Sequence, residues 1–273
     1  MISDAELAIA AARAGAAVVR SRFGTAVDRF DKGGGDFATS ADIEAEREIG
    51  EVLRAARPDD AVLGEEHGLS GEADRTWLVD PICGTLNFAA GTMVVAVNVA
   101  LRVGADVTVA ATGDPFTGEV FWTAGDGAWS RRDGVDERLA PSAGSALVDV
   151  DLDPPFPNAP AFHAVRLLAE EGFAARFRSR VVSSSLALAW VAAGRRAAYV
   201  IDGDMRDSVH FASGIALCRA AGCVVTDLFG EPAFAGTGGL LAAADAETHA
   251  VLLSLIRRQA SAAALRPADS NPR

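Results

Sequence analysis

Acidic side chains gather at the ends of short apolar runs in the first third of the chain. Asp36 and Asp42 bracket Asp36-Phe37-Ala38-Thr39-Ser40-Ala41-Asp42, Glu65 and Glu66 follow Val62-Leu63-Gly64, and Asp80 follows Trp77-Leu78-Val79. Runs of this length, bounded by Gly, Asp or Pro, read as buried strands, so the carboxylates fall where strands end. Oxygen ligands gathered there suit a hard divalent cation such as Mg²⁺, which takes carboxylates and keeps several waters. Taken singly, a Glu-Glu pair is a solvated surface feature, and only the ordered set raises the reading above that. Lys32, the single lysine, sits in Lys32-Gly33-Gly34-Gly35-Asp36; a glycine-flanked lysine is expected to be solvated.

The elements that would hold these residues follow from periodicity. Helices are expected over 5–23 and 41–57, with a glycine-rich turn between them and strands over 61–64, 77–79, 94–103, 107–112 and 119–122. This half reads as α+β, helices on a largely antiparallel sheet. Pro141 to Ser145 and the prolines over 154–160 mark a boundary, giving an N-terminal domain 1–143, a second domain 144–259 and a polar, flexible tail 260–273. The second domain alternates helix 161–171, strand 180–183, helix 186–194, strand 198–201 and helix 211–221, an α/β pattern.

Composition excludes several classes. The chain has 273 residues, 50% of them hydrophobic, enough for a well-buried core. A formal net charge of −12, with 24 arginines and one lysine among the bases, argues against a nucleic-acid partner. No apolar run is long enough to span a bilayer, and the first twenty residues, with Asp4 and Glu6, read as an amphipathic helix and not a signal peptide. Cys83, Cys218 and Cys223 are too few for a disulfide framework, and a reducing cytoplasm is expected.

The wording of the segments carries a resemblance. Trp77-Leu78-Val79-Asp80-Pro81-Ile82-Cys83-Gly84-Thr85-Leu86-Asn87-Phe88 is similar to the central signature of the inositol monophosphatase superfamily, Trp-x-x-Asp-Pro-Ile-Asp-Gly-Thr-x-Asn-Phe, at every specified position except Cys83. Residues 183–194 with Tyr199, and His210-Phe211-Ala212-Ser213-Gly214 followed by Ala220-Ala221-Gly222, resemble its later segments, so the likeness runs over about 5–255. It implies an alternating helix and sheet layered sandwich, a Mg²⁺-dependent phosphomonoesterase acting on a small phosphate ester, and a homodimer. Glu65, Asp80, the Ile82 carbonyl and Thr85 would build a water-activating site, with Asp42 bonded to Thr85. Gly84 and Thr85 would donate to the phosphate, and Lys32 and Ser183 stand at substrate-facing positions.

Two departures fall on the second metal position, where Cys83 and His210 replace aspartates beside Asp80. A neutral thiol and a neutral imidazole would remove about two negative charges and weaken Mg²⁺ there. Three readings stay open: a softer metal such as Zn²⁺ or Mn²⁺ at Asp80, Cys83 and His210; loss of hydrolysis with retention of the fold; or new chemistry on Cys83 or His210. Against all three stands a small, buried, inert Cys83. Asp207, three residues before His210, would take the ligand role if the alignment holds a local gap. Val182-Ser183-Ser184-Ser185 and Ala197 depart from the family at positions expected to face substrate. A cysteine phosphatase is set aside because residues 83–92 contain no arginine, and Gly236-Thr237-Gly238-Gly239 is read as a turn.

Overall fold

The computed structural model describes residues 2–152, 164–202, 205, 208–233 and 238–264. The prolines at 154–160, Asp207, Gly236 and Thr237 lie outside the described residues. The first part runs α1 Asp4–Arg22, β1 Arg29–Gly33, β2 Asp36–Thr39, α2 Ser40–Ala56, β3 Ala61–Gly64, β4 Gly68–Ser70, β5 Arg75–Cys83, α3 Thr85–Ala89, β6 Ala96–Val103, β7 Asp106–Gly113, β8 Val120–Thr123, β9 Ala128–Arg132 and β10 Val135–Arg138. It continues through β11 Leu147–Val150, α4 Ala164–Leu167, α5 Glu171–Arg176, β12 Arg178–Val181, α6 Leu186–Ala192, β13 Ala198–Ile201, α7 Ala212–Ala221, β14 Val224–Thr226, β15 Leu240–Ala243 and α8 Ala246–Ala264.

Two sheets and three helical layers alternate, the layered sandwich that the sequence implies. An eight-stranded sheet in the order β10-β9-β8-β7-β6-β5-β3-β4 is antiparallel except where β3 runs parallel to β5. Alternation along β5 sends Trp77 and Val79 to the face covered by α1 and α2, and Leu78 to the face covered by α7. The second sheet, β12-β11-β13-β15-β14, pairs β11 in parallel with both β12 and β13. Its inner face meets α6 and α7 through Tyr199, Leu240 and Ala242. On its outer face Val148, Ala198, Val200 and Leu241 meet α5 and α8 through Phe173 and Leu255.

Three local readings differ from the structure. The glycine-rich turn carrying Lys32 is the tip of a β1–β2 hairpin whose first strand is exposed throughout, so no alternation betrays it. The helix expected over 161–171 is broken: an extended Glu170 separates α4 from α5, and 161–163 lie outside the described residues. Helix α8 continues to Ala264, past the start assigned to the tail, and 265–273 are not described. No helix among the described residues is long and apolar enough to cross a membrane.

One buried side chain fixes the turn after β3. Glu46, on α2, accepts from Glu66 N at 2.8 Å, His67 N at 2.9 Å and His67 Nδ1 at 2.6 Å, and is 5% exposed. A Cβ on Gly64 would overlap this carboxylate, so glycine and glutamate are matched. Glu46→Ala strands two backbone donors and should cost about 1–3 kcal/mol, seen as a lowered Tm. Gly64→Ala should destabilise by displacing the same carboxylate, so the double variant should cost less than the sum. Full additivity would separate the two residues.

Candidate active site

Register makes the central pair. Gly64 lies opposite Val79 in the parallel β3–β5 ladder, and Glu65 N donates to Val79 O at 3.1 Å, so Glu65, just past the end of β3, comes to lie beside Asp80, which is inside β5 and opposite Asn98. Asp80 is fully buried. Its Oδ2 lies 2.8 Å from His210 Nδ1, and Glu65 Oε2 is 3.8 Å from the same nitrogen. Lys32 Nζ donates to Glu65 Oε1 and Glu66 Oε1, both at 2.8 Å. Lys32, although on an exposed strand, is therefore tied by ion pairs to the site, because two largely buried carboxylates face its ammonium. Glu65 Oε2 and Asp80 Oδ1 are shielded from solvent and have no hydrogen-bond partner.

The charges follow from burial and proximity. Burial and the neighbouring Asp80 push Glu65 up to about 8, against the pull of His210 and Lys32. Burial works against ionised Asp80 too, but the charge and hydrogen bond of His210 outweigh it and hold the carboxyl below its usual range. Desolvation opposes a charged His210; the Asp80 charge and bond, with Cys83 and Glu65, overcome it and raise the imidazole well above its ordinary value. The second position thus holds an imidazole that Asp80 draws toward its charged form, where the sequence implied a neutral ring.

Asp42 serves two partners. Its Oδ2 accepts from Thr39 N at 2.8 Å and Thr39 Oγ1 at 2.5 Å, closing the capping box of α2, while its Oδ1 accepts from Thr85 Oγ1 at 3.0 Å. Burial raises its carboxyl to about 6 despite the Thr39 bonds. Thr85 Oγ1 also lies 3.1 Å from the Ile82 carbonyl. Gly84 turns the chain from β5 into α3 at φ 108°, where a Cβ would meet Val94 O at 2.9 Å and Ser183 O at 3.0 Å. Asn87 Nδ2 donates to both of those carbonyls at 2.9 Å, clamping the turn to the segment before α6.

Cys83 lies beside His210 and is 8% exposed. Its Sγ accepts from Ser185 N at 3.2 Å and its carbonyl from Ser184 Oγ at 2.9 Å; burial, with the Asp80 charge, pushes the thiol up to about 11. A buried polar chain supports this corner: Asn98 Nδ2 donates to Ser185 Oγ at 2.7 Å, Thr112 Oγ1 to Asn98 Oδ1 at 3.0 Å, and Thr112 meets Ser213 Oγ at 2.7 Å. Sequence reasoning missed Glu46, Asn87, Asn98 and Thr112. Signals existed: Glu46 is one helical turn from Asp42, and Asn98 interrupts an apolar strand. Ala197, expected to face substrate, is fully buried among Val148, Ala198 and Leu241 in the second core and faces none. Asp207 cannot be placed in the site, since it lies outside the described residues.

The structure thus brings Lys32, Glu65, Asp80, Cys83 and His210 into one cluster, with Asp42, Ile82 and Thr85 joined beside it and Gly84 against Ser183. Two orphaned carboxylate oxygens next to the Ile82 segment fit one hard cation. A protonated thiol and an imidazole drawn toward its charged form do not fit Mg²⁺ at the neighbouring position.

Comparison with known proteins agrees with this geometry. The model of the inositol monophosphatase family matches residues 3–261. The chain is 33% identical over 258 residues to an inositol-1-monophosphatase of Caulobacter vibrioides, covering 91% of this chain and 99% of the relative, and 32% identical over 260 residues to Nus factor SuhB of Escherichia coli, covering 91% and 94%. Its fold superposes on extragenic suppressor protein suhB from Bartonella henselae with a TM-score of 0.81 at 25% identity, covering 93% of this chain and 98% of that one, and on the Thermotoga maritima IMPase with a TM-score of 0.77 at 25% identity and the same coverage. With the matched signature segments meeting in one buried cluster, the chain belongs to the inositol monophosphatase family.

Proposed function

We propose that this protein is a cation-dependent phosphomonoesterase acting on a small phosphorylated metabolite, with one cation position retained and its neighbour remade. The observation that carries this is the pair of shielded, unpartnered oxygens, Glu65 Oε2 and Asp80 Oδ1. Buried carboxylate oxygens without donors are costly, and a divalent ion is the partner that answers both at once. Glu65, Asp80 and the Ile82 carbonyl would hold Mg²⁺, as the family generally does. When bound, such an ion supplies positive charge at the reacting phosphate and acidifies nearby water.

The remaining work belongs to the chain itself. Thr85 Oγ1 stands between Asp42 Oδ1 and the Ile82 carbonyl, and Asp42, tuned to about 6, takes up a proton passed through that hydroxyl as water attacks phosphorus and the ester P–O bond breaks, the departing alkoxide taking a proton from solvent. Gly84, at a φ that glycine takes readily, lets the turn close against the Val94 and Ser183 carbonyls and so sets the Thr85 hydroxyl. Lys32 holds Glu65 in place from the open side and adds positive charge for an anionic substrate. Ser184 and Ser185, expected to face substrate, are buried and serve instead to hold Cys83. The dimer typical of the family is proposed here as well.

A second reading, a protein-binding role beside or instead of hydrolysis, is favoured by one observation: relatives at 32% identity carry the name Nus factor. A panel of phosphomonoesters assayed with Mg²⁺ separates the two, and no hydrolysis of any member would favour binding.

Two variants test the hydrolytic reading. Asp80→Asn should lower Mg²⁺-dependent turnover about a hundredfold or more, and near-native turnover would remove the cation mechanism. Cys83→Asp with His210→Asp should raise Mg²⁺-dependent hydrolysis about ten- to a thousandfold, or ~1.4 to 4 kcal/mol of transition-state stabilisation. Each single change should give less than its share. A folded, Mg²⁺-binding double variant with no gain would show that the substrate pocket, and not the metal position, has diverged.

A further inference from the structure

Next to the oxygen-built position, donors of three different kinds converge. Asp80, Cys83 and His210 each offer one ligand atom, and these atoms all lie within 4.8 Å of one another. Oxygen, sulfur and nitrogen form a donor set that zinc accepts, with bonds of about 2.3 Å to sulfur and about 2.0–2.2 Å to nitrogen and oxygen. The closest pair of donors is His210 Nδ1 and Asp80 Oδ2, at 2.8 Å.

Independent features point the same way. The Ser185 N–H already donates to Cys83 Sγ at 3.2 Å, the kind of outer bond that steadies a metal-bound sulfur, and Ser184 Oγ fixes the Cys83 carbonyl at 2.9 Å. Asn98 braces both sides of the cluster, through Ser185 Oγ at 2.7 Å and the His210 carbonyl at 3.4 Å. The His210 side chain is 40% exposed, which leaves a path for the ion and an open side for water or a substrate oxygen.

We propose that Asp80, Cys83 and His210 form a site for one divalent transition metal of the zinc class, in place of a second Mg²⁺. Binding releases the Cys83 thiol proton and the proton shared by His210 and Asp80. The inference rests on the hydrolytic reading for the role of the ion, and on donor geometry alone for its binding.

Cobalt is the probe, because its spectrum reports the ligands without turnover. Co²⁺ added to the chelator-treated full chain, with Mg²⁺ present to occupy the oxygen-built position, should bind with a thiolate-to-cobalt charge-transfer band and the strong visible absorption of a four-coordinate ion, and Zn²⁺ should bleach both. Cys83→Ser should abolish the charge-transfer band and weaken Zn²⁺ by about tenfold or more. If that variant does not fold, X-ray absorption on the zinc-loaded wild-type protein decides: one sulfur at about 2.3 Å with nitrogen and oxygen at about 2.0–2.1 Å is expected. Cobalt bound without a sulfur band, a band that survives in Cys83→Ser and so comes from Cys218 or Cys223, or a shell of oxygen and nitrogen only would each overturn the proposal. A sulfur-ligated ion in a protein that hydrolyses no phosphomonoester would sink the phosphatase reading and keep this one; hydrolysis with an oxygen-only shell would do the reverse.

Discussion

A carboxylate inside a buried strand must be balanced by positive charge or give up its own, and Asp80, within β5 and with no solvent contact, is such a carboxylate. Glu65 sits beside it because β3 and β5 run parallel in one register, so a second carboxyl group is forced into the same small volume, and burial with the Asp80 charge pushes it up to about 8. Both compensating cations come from other parts of the chain. His210 arrives from the entry to α7 and bonds Asp80, Lys32 comes from an exposed hairpin and bonds both Glu65 and Glu66, and Glu65 Oε2 and Asp80 Oδ1 are left without a hydrogen bond.

That balance sets what the site can bind. An incoming ion meets two orphaned oxygens, but also an imidazole already seated on Asp80 and drawn toward its charged form, so it competes with that ring at one position and not at the other. A hard ion is favoured where the donors are Glu65, Asp80 and the Ile82 carbonyl; where Cys83 and His210 replace carboxylates, only an ion that prefers sulfur and nitrogen gains enough to displace their protons. The supporting groups are placed accordingly. Glu46 holds the turn that presents Glu65, Asp42 joins the α2 cap to Thr85, and the chain from Ser213 through Thr112 and Asn98 reaches Ser185 beside the sulfur.

Much of this was legible in the amino-acid order. Strands 61–64 and 198–201 coincide with β3 and β13, and helices α1 and α2 begin within a residue of their expected starts, because apolar periodicity and caps are local signals. The layered sandwich was legible only through the signature segments. What escaped lacks a local pattern: β1 is exposed along its length, and the start of α8 is marked by little more than Asp245 Oδ1 accepting from Thr248 N. The charge of His210 was invisible too, since it depends on Asp80, 130 positions away. Ala197 misled because position in a motif says nothing about which side of a sheet a residue faces.

The central claim is that the buried pair Glu65 and Asp80 is a cation site, its charges balanced meanwhile by Lys32 and His210. Anomalous diffraction from crystals equilibrated with Mn²⁺ tests it most directly, because it locates the ion without asking for activity. The account predicts an anomalous peak bonded to Glu65 Oε2, Asp80 Oδ1 and the Ile82 carbonyl. Absence of any peak between Glu65 and Asp80 at saturating Mn²⁺, with both oxygens still unpartnered or satisfied by protein donors, would contradict it.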